Sequence, residues 1–232
     1  MNDYTLYYTL TFLAFFLTFG AQIYVKKTYA KYGNISAASG WNGASAARDI
    51  LNRNGMEGVN VLETEGILTD RYDPKNLQVV LSRNNYENAS VASIAVAAHE
   101  CGHALQHKES YAFLNLRSAM LPLVNISSYG GYLAIMMGAI LNVMNLIWLG
   151  IAMEIVILLF QVVTLPVEFD ASSRALVLIE ENGYLNEEEM NGAKKVLRAA
   201  ALTYVAAVAS TLAQILRLIL SFAGRSGRDR RR

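Results

Sequence analysis

Residues 97–107 read AAHECGHALQH, and all three histidines of the 232-residue chain fall within this stretch. His99, Glu100 and His103 form H-E-x-x-H. Positions four apart share one face of an α-helix, so both imidazoles can reach a single ion at about 2.0–2.1 Å. Glu100 lies about 100° round the helix from His99, beside such an ion without being a ligand to it. That is where a general base belongs, because zinc lowers the pKa of a coordinated water to about 7 and an adjacent carboxylate can take the proton. The alternative is a polar network satisfied by hydrogen bonds. The flanks IAVAA and AL make this helix apolar on most sides, where unpaired imidazoles and a carboxylate would be costly, and this favours a metal.

The neighbours of the motif read differently. Cys101 points away from the ligand face and reads as a small core residue. His107 stands eight residues from His99, about 12 Å along a straight helix, too far to share one ion with it. It belongs either to the rim of the site, behind a ligand, or to the plain surface. As the only cysteine, Cys101 also excludes an internal disulfide and a four-cysteine zinc module.

The elements that must position this helix are largely apolar. Hydrophobic residues make up 53% of the chain and charged residues only 17%, a balance that points to a membrane protein. The net charge of +1 gives no indication of nucleic acid, and no such partner is expected. Residues 4–25 carry no charge and meet the roughly 20 apolar residues that a bilayer crossing needs. Lys26, Lys27 and Lys31 follow, so this is an uncleaved anchor with its C-terminal end inside. A tract from about Met120 to Leu165, divided near 142–145, predicts two spans joined by a tight turn. A tract over about 199–222 makes a fourth span and leads into the basic tail RSGRDRRR, a solvated or headgroup-facing end.

The segments between are polar enough to fold in water. WNGASAARDILNRNG spaces Trp41, Ala44, Ala47 and Leu51 on one helical face. VNVLET (59–64) and LQVVLS (77–82) flank a turn at Asp73-Pro74 and predict a small hairpin or two edge strands. Asn88 or Ser90 can cap the histidine helix. The chain divides into an anchor (1–25), a polar catalytic region (26–118), a transmembrane hairpin (119–165), a return segment (166–198), and a fourth helix with tail (199–232). The fold class is a mainly α integral membrane protein of about four transmembrane helices with a small α+β catalytic region.

The hairpin supplies the third ligand. It returns the chain near Pro166 to the membrane face that it left near Arg117, beside the histidine helix. There LPVEFDASSRA offers Glu168 and Asp170 at a predicted helix start, and Glu168 is the expected ligand. Acids that merely cap the helix are the alternative.

LTDRYDP (68–74), AAHECGHALQH, LPVEFDAS and KKVLRAAALTYVAA (194–207) together resemble the YugP-type membrane zinc metallopeptidases, distant relatives of the HtpX and CAAX prenyl protease gluzincins. The resemblance covers most of the chain. It implies a zincin-like site with one zinc per chain held by His99, His103 and Glu168, Glu100 as catalytic base, and a polypeptide substrate. HtpX-like relatives carry an aspartate four positions after the ligand glutamate, where this chain has Ser172. They also imply that substrate pairs with an edge strand before the zinc helix, here 77–82. Tyr204 or Arg198 could stabilise the oxyanion, and Tyr204 is the expected catalytic partner of Glu100.

Both polar segments lie inside if the first anchor does, which places the catalytic face in the cytoplasm of a prokaryotic plasma membrane. Four spans would leave the arginine tail outside, against the positive-inside tendency. Glu154 and Arg217, each costly in lipid unless paired, are expected to pair. The expected function is an integral-membrane zinc endopeptidase acting on membrane or membrane-adjacent proteins. A silent zinc-stabilised scaffold or chaperone is the runner-up, with no use for Glu100. A transporter built on Glu154 and Arg217 is the third reading, indifferent to zinc.

Overall fold

The computed structural model describes residues 3–229, without the side chains of residues 3, 4, 7 and 223–229. The side chains of the basic tail lie outside the described residues. Seven helices and three strands follow in the order α1 (Asp3–Gly33), α2 (Gly43–Arg53), β1 (Asn60–Thr64), β2 (Arg71–Asp73), β3 (Gln78–Ser82), α3 (Arg83–Glu87), α4 (Val91–Lys108), α5 (Ala112–Leu141), α6 (Met144–Glu181) and α7 (Glu187–Asp229). Four of the helices, α1, α5, α6 and α7, are long and apolar enough to cross a membrane. The protein is thus a mainly α membrane protein with a small α+β region. Its contacts divide it into two units.

The first unit comprises Met1–Gln22, Asn115–Leu165 and Thr203–Arg232. Phe12, Phe16, Tyr129 and Ile140 are among its many exposed large apolar side chains, as lipid-facing surfaces require. α5 and α6 are joined by Asn142 and Val143 alone. Asn142 adopts the left-handed conformation (φ 54°) and the Val143 N–H donates to the Gly138 carbonyl at 2.9 Å. A Cβ on Gly150 would stand 2.7 Å from the Gly131 carbonyl oxygen, so glycine lets these two helices approach closely. The sequence set Arg217 against Glu154. Arg217 Nη1 donates to the Thr11 hydroxyl at 3.2 Å.

The second unit, Ile23–Leu114 with Pro166–Leu202, is built round α4. Ser90 is its N-cap, with Oγ accepting from the Ser93 N–H at 3.1 Å. Val91, Ile94, Ala98, Cys101 and Ala104 are fully enclosed among α2, the sheet and the α6–α7 segment, through Ile50, Leu51, Leu81 and Ile179. The sheet order is β1-β3-β2. β1 runs parallel to β3, pairing Asn60 with Gln78 through Thr64 with Ser82, and β2 pairs antiparallel with Gln78–Val80.

Two expectations are corrected here. The strands 59–64 and 77–82 do not make a hairpin. β3 is central, paired on both sides, so it cannot be the edge that receives a substrate strand. Just before β2 begins, the Asp70 carboxylate accepts the Ser82 N–H of β3 at 2.7 Å. The free edges belong to β1 and β2. Glu168 and Asp170 also do not begin a helix, because α6 runs unbroken from Met144 through Pro166 to Glu181. A proline inside a helix removes one backbone donor, and the long apolar helix on either side absorbs that loss.

Candidate metal centre

α4 turns His99 and His103 to the same side, with ring centroids 4.7 Å apart. α6 crosses that side closely because residue 102 has no side chain. A Cβ on Gly102 would lie 2.6 Å from the Ala171 carbonyl oxygen and 3.2 Å from its Cα. This approach brings buried Glu168, one turn before Ala171, against the imidazoles. Its Oε2 lies 3.4 Å from His99 Nε2 and 3.7 Å from His103 Nε2, and the candidate ligand atoms of all three residues lie within 4.8 Å of one another.

These separations discriminate between an ion pair and a metal site. A charge-assisted N–H···O contact closes to about 2.7–2.9 Å. Two donors on one tetrahedral zinc, each at 2.0–2.2 Å, stand about 3.3–3.6 Å apart. Both observed distances are longer than the first pattern; 3.4 Å falls within the second and 3.7 Å just beyond it. Two imidazoles and one carboxylate are also the donor set of catalytic zinc, which keeps its fourth position for water or substrate, whereas structural zinc takes four protein ligands. Zinc therefore fits the residues present.

The opposite edges of both rings are held. His99 Nδ1 lies 3.2 Å from Ser172 Oγ, and His103 Nδ1 lies 3.0 Å from Gln106 Oε1. Gln106 is fully buried, and its Nε2 donates to the Val167 carbonyl and to Asp170 Oδ2, both at 2.8 Å. Its oxygen can then only accept, so His103 Nδ1 carries the proton and Nε2 presents a lone pair toward Glu168. Asp170 in turn accepts from Arg174 Nε at 2.6 Å, and Arg174 Nη1 donates to Glu109 at 2.7 Å. Asp170 thus acts on His103 through Gln106, and Ser172 occupies the place beside His99. The sequence reading passed over Gln106. Its one signal was an amide three residues after a ligand histidine on an otherwise apolar helix.

Replacing Gln106 with leucine removes the acceptor for His103 and the side-chain donor to the Val167 carbonyl. Zinc affinity, measured by competition with a chromogenic chelator, should fall about 10- to 100-fold. Unchanged affinity would show that the amide does not orient His103.

Electrostatics set Glu100 apart from the ligands. Burial raises its carboxyl above the ordinary glutamate range, opposed by His99 and His103 and reinforced by Asp70 and Glu168. Burial depresses the His103 imidazole, but the Glu168 and Glu100 carboxylates outweigh it and leave its pKa raised. Cys101 is wholly buried, its Sγ 3.7 Å from the Ala47 carbonyl on α2, and burial pushes its thiol up, so it is inert core. His107 is half-buried, with Nδ1 2.9 Å from the Tyr72 hydroxyl on β2. Tyr204 lies on α7 in the membrane unit and Arg198 on α7 in the second unit.

A family model described as "Putative neutral zinc metallopeptidase" matches residues 7–223. The chain is also 46% identical over 224 residues, 97% of its length and 99% of the relative's, to a Bacillus subtilis (strain 168) protein named "Putative membrane protease YugP". No solved structure matches significantly.

Proposed function

The chain belongs to this family of neutral zinc metallopeptidases, and from that membership we propose an integral-membrane endopeptidase whose zinc is held by His99, His103 and Glu168. The observation that carries the reading is the convergence of two histidines and one buried carboxylate, with their candidate ligand atoms within 4.8 Å of one another. Bound there, zinc would supply Lewis acidity toward a scissile carbonyl and toward water. Glu100 is the general base. It takes the proton from the attacking water and returns it to the leaving amine.

The substrates are polypeptides in or beside the membrane, and the catalytic unit faces the cytoplasm of a prokaryotic cell. Support for this side comes from Lys26, Lys27 and Lys31, which follow the first span directly, together with Lys194, Lys195 and Arg198. A scaffold would require neither an open fourth position nor Glu100. Detergent-purified protein holding zinc should cleave an unfolded casein-type substrate, lose that cleavage with 1,10-phenanthroline, and regain it with zinc but not magnesium. Cleavage indifferent to chelation, or a zinc-loaded protein that cleaves nothing, would defeat the proposal.

A further inference from the structure

A concave site lies at the N-terminal end of the zinc helix. It is a cleft of about 550 Å³ between the last turns of α1, the β1–β2 loop and the first turn of α4. Its walls are of three kinds. Ile67 and Leu68 on the loop are apolar, and Ile67 is 71% exposed. Leu68 holds φ at +57°, a backbone conformation rarely adopted by a bulky residue, and strain of this kind persists where a loop is over-determined by its surroundings. Asn84 and Asn88 bring neutral amides, and Lys26 is the sole charged residue among those that line the cleft.

Two features connect the cleft to the chemistry. Tyr29 on its wall donates to Asn85 Oδ1 at 2.7 Å, and Asn85 Nδ2 donates to Asp70 Oδ2 at 2.9 Å. Asp70 lies within electrostatic reach of both Tyr29 and Glu100. Both places are also at bilayer-edge depth along their own helices. Lys26 is the first residue after the uncharged run of α1, and Glu168 comes three residues after Leu165, at the end of the long apolar tract of α6. At 1.5 Å per residue, each is within about one helical turn of the end of an apolar run.

We propose that this cleft docks the juxtamembrane segment of a polypeptide substrate, with an apolar side chain against Ile67 and Leu68 and an acidic side chain at Lys26. The inference rests on the peptidase reading and adds a substrate class to it. Neutral amides beside apolar side chains suit a peptide backbone, whereas a phosphate headgroup calls for several cations and finds one. A segment leaving the bilayer meets the cleft at the depth where its first polar residues appear. Lys26 then favours an acidic flank over a basic one.

The test uses Glu100→Gln protein in zwitterionic nanodiscs and two fluorescent single-span peptides differing only in a Glu or a Lys just beyond the span. The Glu peptide should bind about threefold more tightly, as one exposed ion pair allows. Lys26→Glu should invert the preference and Lys26→Arg retain it. Gly33 lines the cleft and a Cβ there would meet nothing within 4 Å, so Gly33→Phe, with its melting temperature checked against the parent, should occupy part of the cleft and weaken both peptides about tenfold. Absence of a preference, a preference unmoved by Lys26→Glu, or binding unmoved by Gly33→Phe overturns the inference. A preference that arises only in anionic bilayers overturns it too, because Lys26 would then be reading lipid. Cleavage of the same peptides by the unmodified protein is scored separately: the binding pattern without cleavage counts against the peptidase, and cleavage without the pattern counts against the docking site.

Discussion

Glutamine at position 100 should leave zinc bound and lower kcat by about a thousandfold, within the 10²–10⁴ that a positioned general base contributes. The substitution keeps shape and burial and removes only the ability to take a proton. The ligand atoms belong to His99, His103 and Glu168, so metal content measured by mass spectrometry should stay at that of the parent. The fold should not suffer either. Glu100 is a buried carboxyl raised chiefly by desolvation, and exchanging it for a neutral amide removes a group that burial disfavours when charged. Melting temperature should therefore hold or rise while turnover disappears. Cleavage at the parental rate would remove Glu100 from the mechanism, and loss of zinc would make it a part of the metal site.

How far the molecule was legible beforehand follows from which signals are local. The four spans rest on length and apolar composition, which act within each segment, and the structure contains four such helices. The facing of His99 and His103 follows from helical spacing alone. Strand pairing is not local. Two β-rich runs separated by a turn fit a hairpin equally well, and nothing in LQVVLS reveals that β1 would lie parallel to it while the short RYD segment takes the other side. Asp70 was unreadable for the same reason, because its partners Ser82 and Asn85 are 12 and 15 residues away.

The surroundings of the metal site show a similar split. Glu168 could be placed near the histidines because the hairpin must return to the face it left. Its neighbours could not be assigned. Asp170 reads as a second acid in a first turn, yet it orients Gln106 because α6 continues through Pro166 and presents residues 167, 170 and 174 along one side of α4. A helix that began at 167 would have offered its N-terminal dipole to these acids. A continuous one offers side chains in register, and the distinction lies in whether a single proline stops the chain.

Gly102 carries that register, and Gly102→Ala should weaken the fold and the metal site together. Alanine for glycine inside a helix ordinarily stabilises by about 0.5–1 kcal/mol. Here the new Cβ would meet the Ala171 carbonyl oxygen at 2.6 Å and two further backbone atoms at 3.2 and 3.3 Å. Backbone cannot rotate aside as a flexible side chain can, so α4 and α6 must separate, and overpacking of this kind costs about 1–3 kcal/mol. The separation falls on the metal site. His99 and His103 sit on one helix, Glu168 and Ser172 on the other, and donors now 3.4 and 3.7 Å apart would be drawn further from the spacing that one tetrahedral ion holds. Zinc affinity should drop at least tenfold, with a lower melting temperature, while Gly33→Ala, where a Cβ meets nothing within 4 Å, leaves both unchanged. Unchanged zinc affinity with a raised melting temperature would mean that helix propensity outweighs the contact, and that the spacing of α4 and α6 does not set the site. A lowered melting temperature with intact zinc would place the strain elsewhere along the two helices and free the donors from it.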